Sequence, residues 1–325
     1  MGDPAQSEGS EQKQITGWLG DHPQRSLLRI GAALLGIAVA GSALAVIWPK
    51  PDPVGAEVPS AKNPSSLAPL PDAQVMVLVV GLDADSLNAS FNQAAPLGAA
   101  NADSLMLVDV NSKQPIQILQ LPTELAVHLP GVDTMQPLAK AWQLGGVALT
   151  SDVIGELIGL PQDKPDRYFI VSREGFRKLV EGLGDIEVTL NQNYKYEDKS
   201  QSYSVNLQAG LQTLNGSQAE QLARHRPNAN HNRQRRARQR LLLEGIHQQL
   251  GEINAVTAVP QLLNVLSNEV TTDLSSSEML SLLSAAINEP SPPVISELPL
   301  APRAGQQMLR ELKPDLSLPI WPPQS

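Results

Sequence analysis

The chain contains no cysteine among its 325 residues. Disulfide bonds and thiolate metal sites are therefore excluded. Aromatic residues make up only 3%, so a hydrophobic core must be built from leucine, valine, isoleucine and alanine. The net charge of −9 argues against general affinity for nucleic acid. The sequence also lacks a P-loop, a dinucleotide-binding fingerprint, a Gly-x-Ser-x-Gly nucleophile motif and a His-x-x-x-His metal pair.

One stretch near the N-terminus lacks charge altogether. Residues 30–48 read IGAALLGIAVAGSALAVIW, and at about 1.5 Å per residue such a helix spans roughly 28 Å, close to the thickness of the hydrocarbon core. Two arginines precede the run and one lysine follows it, which predicts a cytoplasmic N-terminus. A cleaved signal peptide is the alternative, since Ala43-Leu44-Ala45 has the form of a cleavage site. We expect a retained anchor because the apolar run continues beyond that point.

The low-complexity segments around this run divide the chain into parts. We expect a disordered cytoplasmic tail over 1–29, a transmembrane helix over 30–48, a proline-rich linker over 49–74, a folded domain over 75–300 and a C-terminal tail over 301–325 that frays from residue 320. The protein would thus be a single-pass protein of the cell membrane. Its main domain would be extracytoplasmic, on the periplasmic or cell-wall side.

Apolar runs and helical periodicity alternate along the domain. The run VMVLVV at 75–80 indicates a buried central strand. Further strands are predicted at 105–110, 116–121, 168–171, 186–190 and 294–298, with a hairpin at 194–207. Helices are predicted at 135–144, 150–158, 173–183, 214–221, 233–250, 256–266 and 275–287. This mixture predicts a single α/β/α domain with a central mixed β-sheet flanked by helices, preceded by one transmembrane helix.

The most unusual composition occurs between residues 224 and 240. This segment holds seven arginines and two histidines, and no acidic residue occurs between Glu220 and Glu244. Exposed helices normally alternate charges, so the segment predicts an anion site, and arginine favours bidentate recognition of phosphate or carboxylate. A solvated basic face is the alternative. A nucleic-acid arm is disfavoured because the segment lies outside the membrane in this topology and few aromatic residues are available to stack on bases.

Acidic residues lie at the ends of the first three predicted strands. Asp83 and Asp85 follow the first strand, Asp103 precedes the second, and Glu124 follows the third. Sites of α/β proteins tend to form at strand ends, although a lone acid there is commonly an ordinary loop residue. Placed opposite the arginines, such acids would hold a divalent cation while the arginines hold phosphates, as in pyrophosphate chemistry.

The order of these segments resembles that of the LytR–CpsA–Psr family of bacterial envelope proteins. Between about 75 and 250 the resembling segments read VMVLVVGLDAD, NADSLMLVDVNSKQPIQILQLPTEL, YFIVSREGFRKLVEGLGDIEV, AGLQTLNGSQAEQLARHR and RRARQRLLLEGI. Each is generic alone, whereas their order and spacing are specific. The resemblance implies a phosphotransferase that binds a polyprenyl-pyrophosphate-linked glycopolymer and transfers it to the cell wall. Some descriptions of the family call the domain a cell-envelope-related transcriptional attenuator.

The resemblance also implies which residues form the site. The implied catalytic residues are Asp103, Arg224 and Arg226. The implied pyrophosphate-binding residues are Arg224, Arg226, Arg235, Arg238 and Gln239. Asp103 and Glu124 would bind Mg²⁺ or another hard divalent cation. The implied partners are the lipid-linked glycopolymer, a peptidoglycan acceptor and the membrane, with no nucleic acid.

The sequence departs from the family pattern at four positions, one of which is Asn232, which stands where the family has an acid before its final motif. Asn101 and Thr123 stand where the family has arginines, and Glu124 replaces an aspartate. Each missing charge-assisted hydrogen bond removes about 1.5–3 kcal/mol of transition-state stabilisation unless Arg233, Arg236 or Arg240 takes its place in part. The alternatives to an active transferase are a catalytically impaired lipid-binding or scaffolding protein and a regulatory envelope protein. The cytoplasmic tail is too short for a DNA-binding domain, so any effect on transcription would be indirect.

Overall fold

The computed structural model describes residues 68–89, 98–111, 113–198, 203–226, 232–251, 269–303, 305 and 307–322. The expected cytoplasmic tail, transmembrane helix and most of the proline-rich linker lie outside these ranges, as does the helix predicted at 256–266. Among the described helices, none is both long enough and apolar enough to cross a membrane.

A mixed sheet of six strands lies at the centre of the described domain. The described residues form twelve strands in all, six of them in this sheet and the others in two-stranded sheets. In chain order they are β1 (Val75–Leu82), β2 (Ala102–Asn111), β3 (Gln114–Leu121), β4 (Ala126–Leu129), β5 (Val132–Pro137), β6 (Arg167–Val171), β7 (Ile186–Leu190), β8 (Tyr194–Asp198), β9 (Tyr203–Leu207), β10 (Gly210–Leu214), β11 (Val270–Thr272) and β12 (Val294–Glu297). The central sheet has the order β11-β6-β1-β2-β3-β12. Strand β2 is antiparallel to both β1 and β3, whereas β6 runs parallel to β1.

The described helices are α1 (Ala139–Ile158), α2 (Arg173–Gly182), α3 (Gly216–Arg224), α4 (Asn232–Leu250) and α5 (Ser276–Asn288). The prediction of a helix at 135–144 was wrong at its start, because Met135–Pro137 belong to β5, which pairs with β4. Helix α1 then runs through both predicted helices. It is kinked at Gly145 and Gly146, where the backbone leaves the helical region and Gly146 adopts φ 59°.

The two faces of the central sheet pack against different helices. On one face, Leu78 and its alternate neighbours contact Ile154 and other residues of α1. On the opposite face, Ile118 packs with Leu243 of α4 and Ala286 of α5. Helices on both faces of a mixed sheet confirm the predicted α/β/α domain, whereas the transmembrane helix predicted ahead of it lies outside the described residues.

The segment after Leu300 also packs against the domain. Trp321 is 3% exposed and belongs to the main hydrophobic cluster. The backbone N–H of Ile320 donates to the carbonyl oxygen of Ile158 at 2.9 Å. The expectation of fraying from residue 320 was therefore wrong for residues 320–322. Removing a whole indole from water holds this end of the chain against the core.

Candidate functional site

Three strand ends meet at one edge of the central sheet. Because β2 is antiparallel to β1 and β3, the end of β1, the start of β2 and the end of β3 lie side by side. Asp83 follows β1, Asp103 lies near the start of β2, and Thr123 and Glu124 follow β3. The first turns of α4 cross the same edge and bring arginines to these residues.

Arg235 contacts the acid that the sequence singled out. Its Nη1 donates to Asp103 Oδ1 at 3.1 Å, and its Nη2 donates to Thr123 Oγ1 at 3.3 Å. The Asp103 side chain is 39% exposed. The Nε of Arg235 is buried and has no hydrogen-bond partner among the described residues. Asp103 is therefore accessible from the open side, whereas Arg235 is buried behind it.

Glu124 contacts a different arginine. Arg236 donates from Nη1 to Glu124 Oε1 at 2.8 Å and from Nε to Glu297 Oε2 at 3.3 Å. The second oxygen of Glu124, Oε2, is buried without a hydrogen-bond partner in the described part of the chain. One oxygen of Glu124 thus neutralises a buried arginine, which reduces its availability to a cation. The Asp103–Glu124 metal pair stays a prediction.

Asp83 is buried at the same edge, although the sequence marked it only as a strand-end acid. The backbone N–H and the side-chain amide of Asn101 donate to its two oxygens at 2.7 and 2.9 Å. Burial raises the pKa of Asp83, these hydrogen bonds oppose the shift, and the charge of nearby Asp103 adds to it. Asn101 therefore fixes the orientation of an acid.

Helix α3 positions Arg224 through local sequence signals. Asn215 caps the helix in a capping box with Gln218. Gly216 allows α2 to approach closely, because a Cβ at this position would lie 2.3 Å from the carbonyl oxygen of Arg177. Arg224 is the last residue of the helix and lies at the cavity described below.

A buried acid, Glu220, gathers three arginines beside this site. It accepts from Arg224 at 3.0 Å and from Arg173 at 3.4 Å, and it also pairs with Arg177. The Arg224 guanidinium lies 4.8 Å from the centroid of the Tyr203 ring. Sequence reasoning missed Arg173, although its position directly after β6, a fourth strand end at this edge, could have marked it.

Arg226 is a predicted ligand whose hydrogen bond goes to a neutral side chain. Its Nη1 donates to Asn232 Oδ1 at 3.0 Å, and it makes no ion pair with any residue that the structure describes. Arg226 is exposed at its surface. Partial desolvation by the protein atoms around its guanidinium, followed by the charge of the neighbouring Arg235, lowers its pKa. The neighbouring guanidinium groups of Arg226 and Arg235 would bind an anion well, because only Arg235 is paired with an acid among the described residues.

Arg238 and Gln239 differ in their surroundings. Arg238 donates from Nε to the Leu222 carbonyl oxygen at 3.2 Å and from Nη2 to the His225 carbonyl oxygen. These bonds secure the end of α3, and Arg238 is not among the residues lining the cavities below. Gln239 lines the apolar cavity and a small polar pocket beside Asp103. The structure thus brings Arg224, Arg226 and Arg235 together and gives Arg238 a supporting role.

Two cavities meet at this edge. The open one, of about 360 Å³, is lined by charged and polar residues that include Asn101, Thr123, Glu124, Arg226, Asn232 and Arg235. The other, of about 120 Å³, lies between the sheet and α4 and is lined by apolar residues that include Val79, Met106, Phe176, Leu242, Leu243 and Ile246. Asp83, Asp103 and Arg224 line both. A ligand with an apolar chain and an anionic group would fit across this shared wall.

The acids at the shared wall fit a hard divalent cation only in part. No group of three or more histidine or acidic side chains suited to a metal ion occurs in the described ranges. Asp83 and Asp103 are close enough for their charges to interact. Two carboxylates leave most positions around Mg²⁺ to water or phosphate oxygens, which is the usual arrangement for this ion.

Comparison with known sequences supports the family resemblance noted in the sequence. The model of the LytR_cpsA_psr family matches residues 53–299. A Bacillus licheniformis protein named polyisoprenyl-teichoic acid–peptidoglycan teichoic acid transferase TagU is 31% identical over 183 residues, which cover 55% of this chain and 56% of that protein. The chain therefore spans about half the length of the curated relatives it matches.

Solved structures share the fold. The crystal structure of B. subtilis TagV has a TM-score of 0.61 at 18% identity and covers 75% of this chain and 92% of its own. A structure of TagT bound to LIIa-WTA has a TM-score of 0.56 at 22% identity and covers 74% of this chain and 86% of its own. Because the family model matches most of the chain and these structures share its fold, the protein belongs to the LytR–CpsA–Psr (LytR_cpsA_psr) family.

Proposed function

We propose that the chain binds a polyprenyl-pyrophosphate-linked glycopolymer and transfers the polymer to peptidoglycan. The observation that carries the proposal is the wall shared by an apolar and a charged cavity, where Asp83, Asp103 and Arg224 lie. Membership of the family and the similarity to a relative named as a teichoic acid transferase support the cell wall as the destination.

The two cavities suggest how such a donor binds. The polyprenyl chain enters the apolar cavity beneath α4, where Phe176, Leu242 and Ile246 would bury it. The pyrophosphate lies at the shared wall, within reach of Arg224, Arg226 and Arg235. The polymer on the outer phosphate then extends into the open cavity, which gives it access to an acceptor.

The arginines act on the charge that develops during transfer. An acceptor hydroxyl forms a bond to the phosphorus next to the polymer, and the bond from this phosphorus to the bridging oxygen breaks. Polyprenyl phosphate leaves with the electron pair, and the hydroxyl proton passes to a carboxylate of the open cavity. Arg224 and Arg226 stabilise the charge that grows on the leaving phosphate. Asp103 holds Arg235 in position for the same purpose.

We propose one hard divalent cation, Mg²⁺, as the cofactor of this site. Asp83 and Asp103 would supply two of its oxygen ligands. When bound, the cation neutralises negative charge on the pyrophosphate. Both acids already accept hydrogen bonds, but the donors to Asp83 are the neutral amides of Asn101, whereas Arg236 neutralises the charge of Glu124. Asp83 is therefore favoured over Glu124 as the second ligand.

We also propose that residues 30–48 anchor the chain in the cell membrane, with the domain on the extracytoplasmic side. The support is the uncharged run and the bias of basic residues around it. A reporter fused after Pro71 should be active only outside the cytoplasm. A mature N-terminus at Val46 would replace the anchor with a cleaved signal peptide.

The proposed lipid site is tested with a matched pair of variants. Ala223 lines the apolar cavity, whereas Ala237 is exposed on α4. Ala223→Leu should fill the cavity and weaken binding of a polyprenyl pyrophosphate to the full-length protein by tenfold or more, on the order of the cost of overpacking. Ala237→Leu should leave that affinity unchanged. Binding of inorganic pyrophosphate should be the same in both variants.

Calorimetry of the purified protein in detergent measures these affinities, and mass spectrometry identifies lipids that copurify with and without Mg²⁺. If Ala223→Leu bound the lipid as well as Ala237→Leu, the apolar cavity would not be the polyprenyl site. Transfer of labelled polymer to peptidoglycan in the presence of Mg²⁺ tests the reaction itself. A wild-type protein that binds the donor without transferring it would be a lipid-binding protein rather than an enzyme.

A further inference from the structure

The C-terminal segment brings apolar side chains to the rim of the open cavity. Met308 and Leu309 line this cavity together with Arg226 and Arg235. Both lie beyond residue 299, where the match to the family model ends. Met308 is 62% exposed although it borders a charged site.

Backbone hydrogen bonds at Arg310 hold the neighbouring backbone of Met308 and Leu309 at the site. The N–H of Arg310 donates to the carbonyl oxygen of Glu124 at 3.0 Å, and the N–H of Ala126 donates to the carbonyl oxygen of Arg310 at 2.7 Å. These bonds lie on either side of Leu125, directly after the strand end that carries Thr123. Met308 is only two residues from this bridge, so its distance from the arginines is set by the sheet.

Two further contacts hold the segment down. Leu312 forms an antiparallel bridge with Leu300. Trp321 is buried in the main cluster beside Ile158. The described residues 307–322 are therefore attached to the domain at several points, and Met308 and Leu309 lie at the rim of the open cavity.

We infer that Met308 and Leu309 contact the first sugar of the donor, the one attached to the pyrophosphate, and that this segment selects among glycopolymer donors. The inference rests on the proposed function. If the lipid fills the apolar cavity and the arginines hold the pyrophosphate, the group on the outer phosphate must lie in the open cavity. Tyr196 lines the same cavity. The C–H faces of a sugar pack well against aromatic and flexible apolar side chains.

Two lipid probes separate contact with the sugar from contact with the pyrophosphate. One is a short-chain polyprenyl pyrophosphate, and the other is the same lipid carrying N-acetylglucosamine on its outer phosphate. In the full-length protein in detergent, Met308→Ala should weaken binding of the sugar-bearing lipid about fivefold, as expected for loss of part of one apolar contact. Its affinity for the bare lipid should stay unchanged.

Leu318→Ala is the matched control, since Leu318 is 61% exposed on the same segment but lines a different cavity. It should change neither affinity. If Met308→Ala left both affinities unchanged or weakened both equally, the inference would be overturned while the proposed function stood. If the wild type bound neither lipid, the proposed function would fail and this inference with it.

Discussion

Arg235 and Arg236 are neighbours on α4 and equally buried, yet they contact different parts of the molecule. Arg235 reaches a half-exposed acid and a threonine at the open cavity, and it keeps a donor without a partner in the described structure. Arg236 lies between two glutamates, one of them buried. Adjacent helical positions differ by about 100° in direction. A count of arginines therefore does not identify an anion site, whereas the partner of each arginine does.

The largest expected effect comes from removing the paired arginine. Arg236→Ala leaves Glu124 buried without its counter-ion, and breaking a buried ion pair costs about 3–5 kcal/mol of unfolding free energy. Urea denaturation of the domain measures this loss. Arg233, which is exposed on the same turn of helix, is the control; its replacement by alanine should change stability by less than about 0.5 kcal/mol. Equal stabilities of the two variants would show that Arg236 is not structural.

Arg226→Ala should have the opposite profile. Arg226 makes no ion pair with the described residues and donates a hydrogen bond to Asn232, so its loss should cost about 1 kcal/mol of stability, well below the cost of Arg236→Ala. Affinity for a polyprenyl pyrophosphate should fall by about ten- to a hundredfold, because each charge-assisted hydrogen bond contributes about 1.5–3 kcal/mol. Calorimetry and thermal melting of one preparation give both values. A melting temperature that fell while affinity held would move Arg226 to the structural group.

Arg238 was predicted as a pyrophosphate ligand, but its contacts in the structure are with backbone carbonyl oxygens. Arg238→Ala leaves the carbonyl oxygens of Leu222 and His225 without this donor and should cost about 1–3 kcal/mol of stability. Lipid affinity of the folded fraction should change less than in Arg226→Ala. A hundredfold loss of affinity with unchanged stability would restore Arg238 as a pyrophosphate ligand.

Asp83 and Glu124 can also be separated into a ligand-binding acid and a structural acid, with a smaller expected effect on affinity. Asp83→Asn removes one of the two proposed carboxylate ligands. It should therefore lower the lipid affinity measured in Mg²⁺ about tenfold and leave the affinity without Mg²⁺ unchanged. Glu124→Gln preserves an acceptor for Arg236 and should keep the Mg²⁺ dependence. Titration of both variants with lipid, with and without Mg²⁺, shows whether Asp83 or Glu124 is the second metal ligand. Loss of the dependence in Glu124→Gln alone would support the pair predicted from the sequence.

Sequence patterns predicted the strands that have a continuous apolar run or a clear alternation of apolar and polar residues. The run at β1 is apolar because the strand is covered on both faces, and the strand-end acids gather because β1, β2 and β3 are successive antiparallel neighbours. Short polar strands such as β5 carry no comparable signal. The burial of Trp321 depends on a long-range contact with α1, and no local pattern announces it.

The candidate site was predictable as a composition and not as a set of contacts. Seven arginines without neighbouring acids indicated an anion site. The partner of each arginine depends on its direction from α4 and on acids far away in the sequence, such as Glu124 for Arg236 and Asp103 for Arg235. Asp83 was underrated because its contact with Asn101 forms only when the strand ends meet.

The central claim is that the charged cavity and the apolar cavity together bind a lipid pyrophosphate. The most direct measurement is calorimetric titration of a polyprenyl pyrophosphate, in Mg²⁺, into the wild type, Arg226→Ala and Arg233→Ala. Our account predicts saturable binding to the wild type and to Arg233→Ala, and at least tenfold weaker binding to Arg226→Ala. A similar loss of affinity in both variants would contradict it, because that is the behaviour of a solvated basic surface.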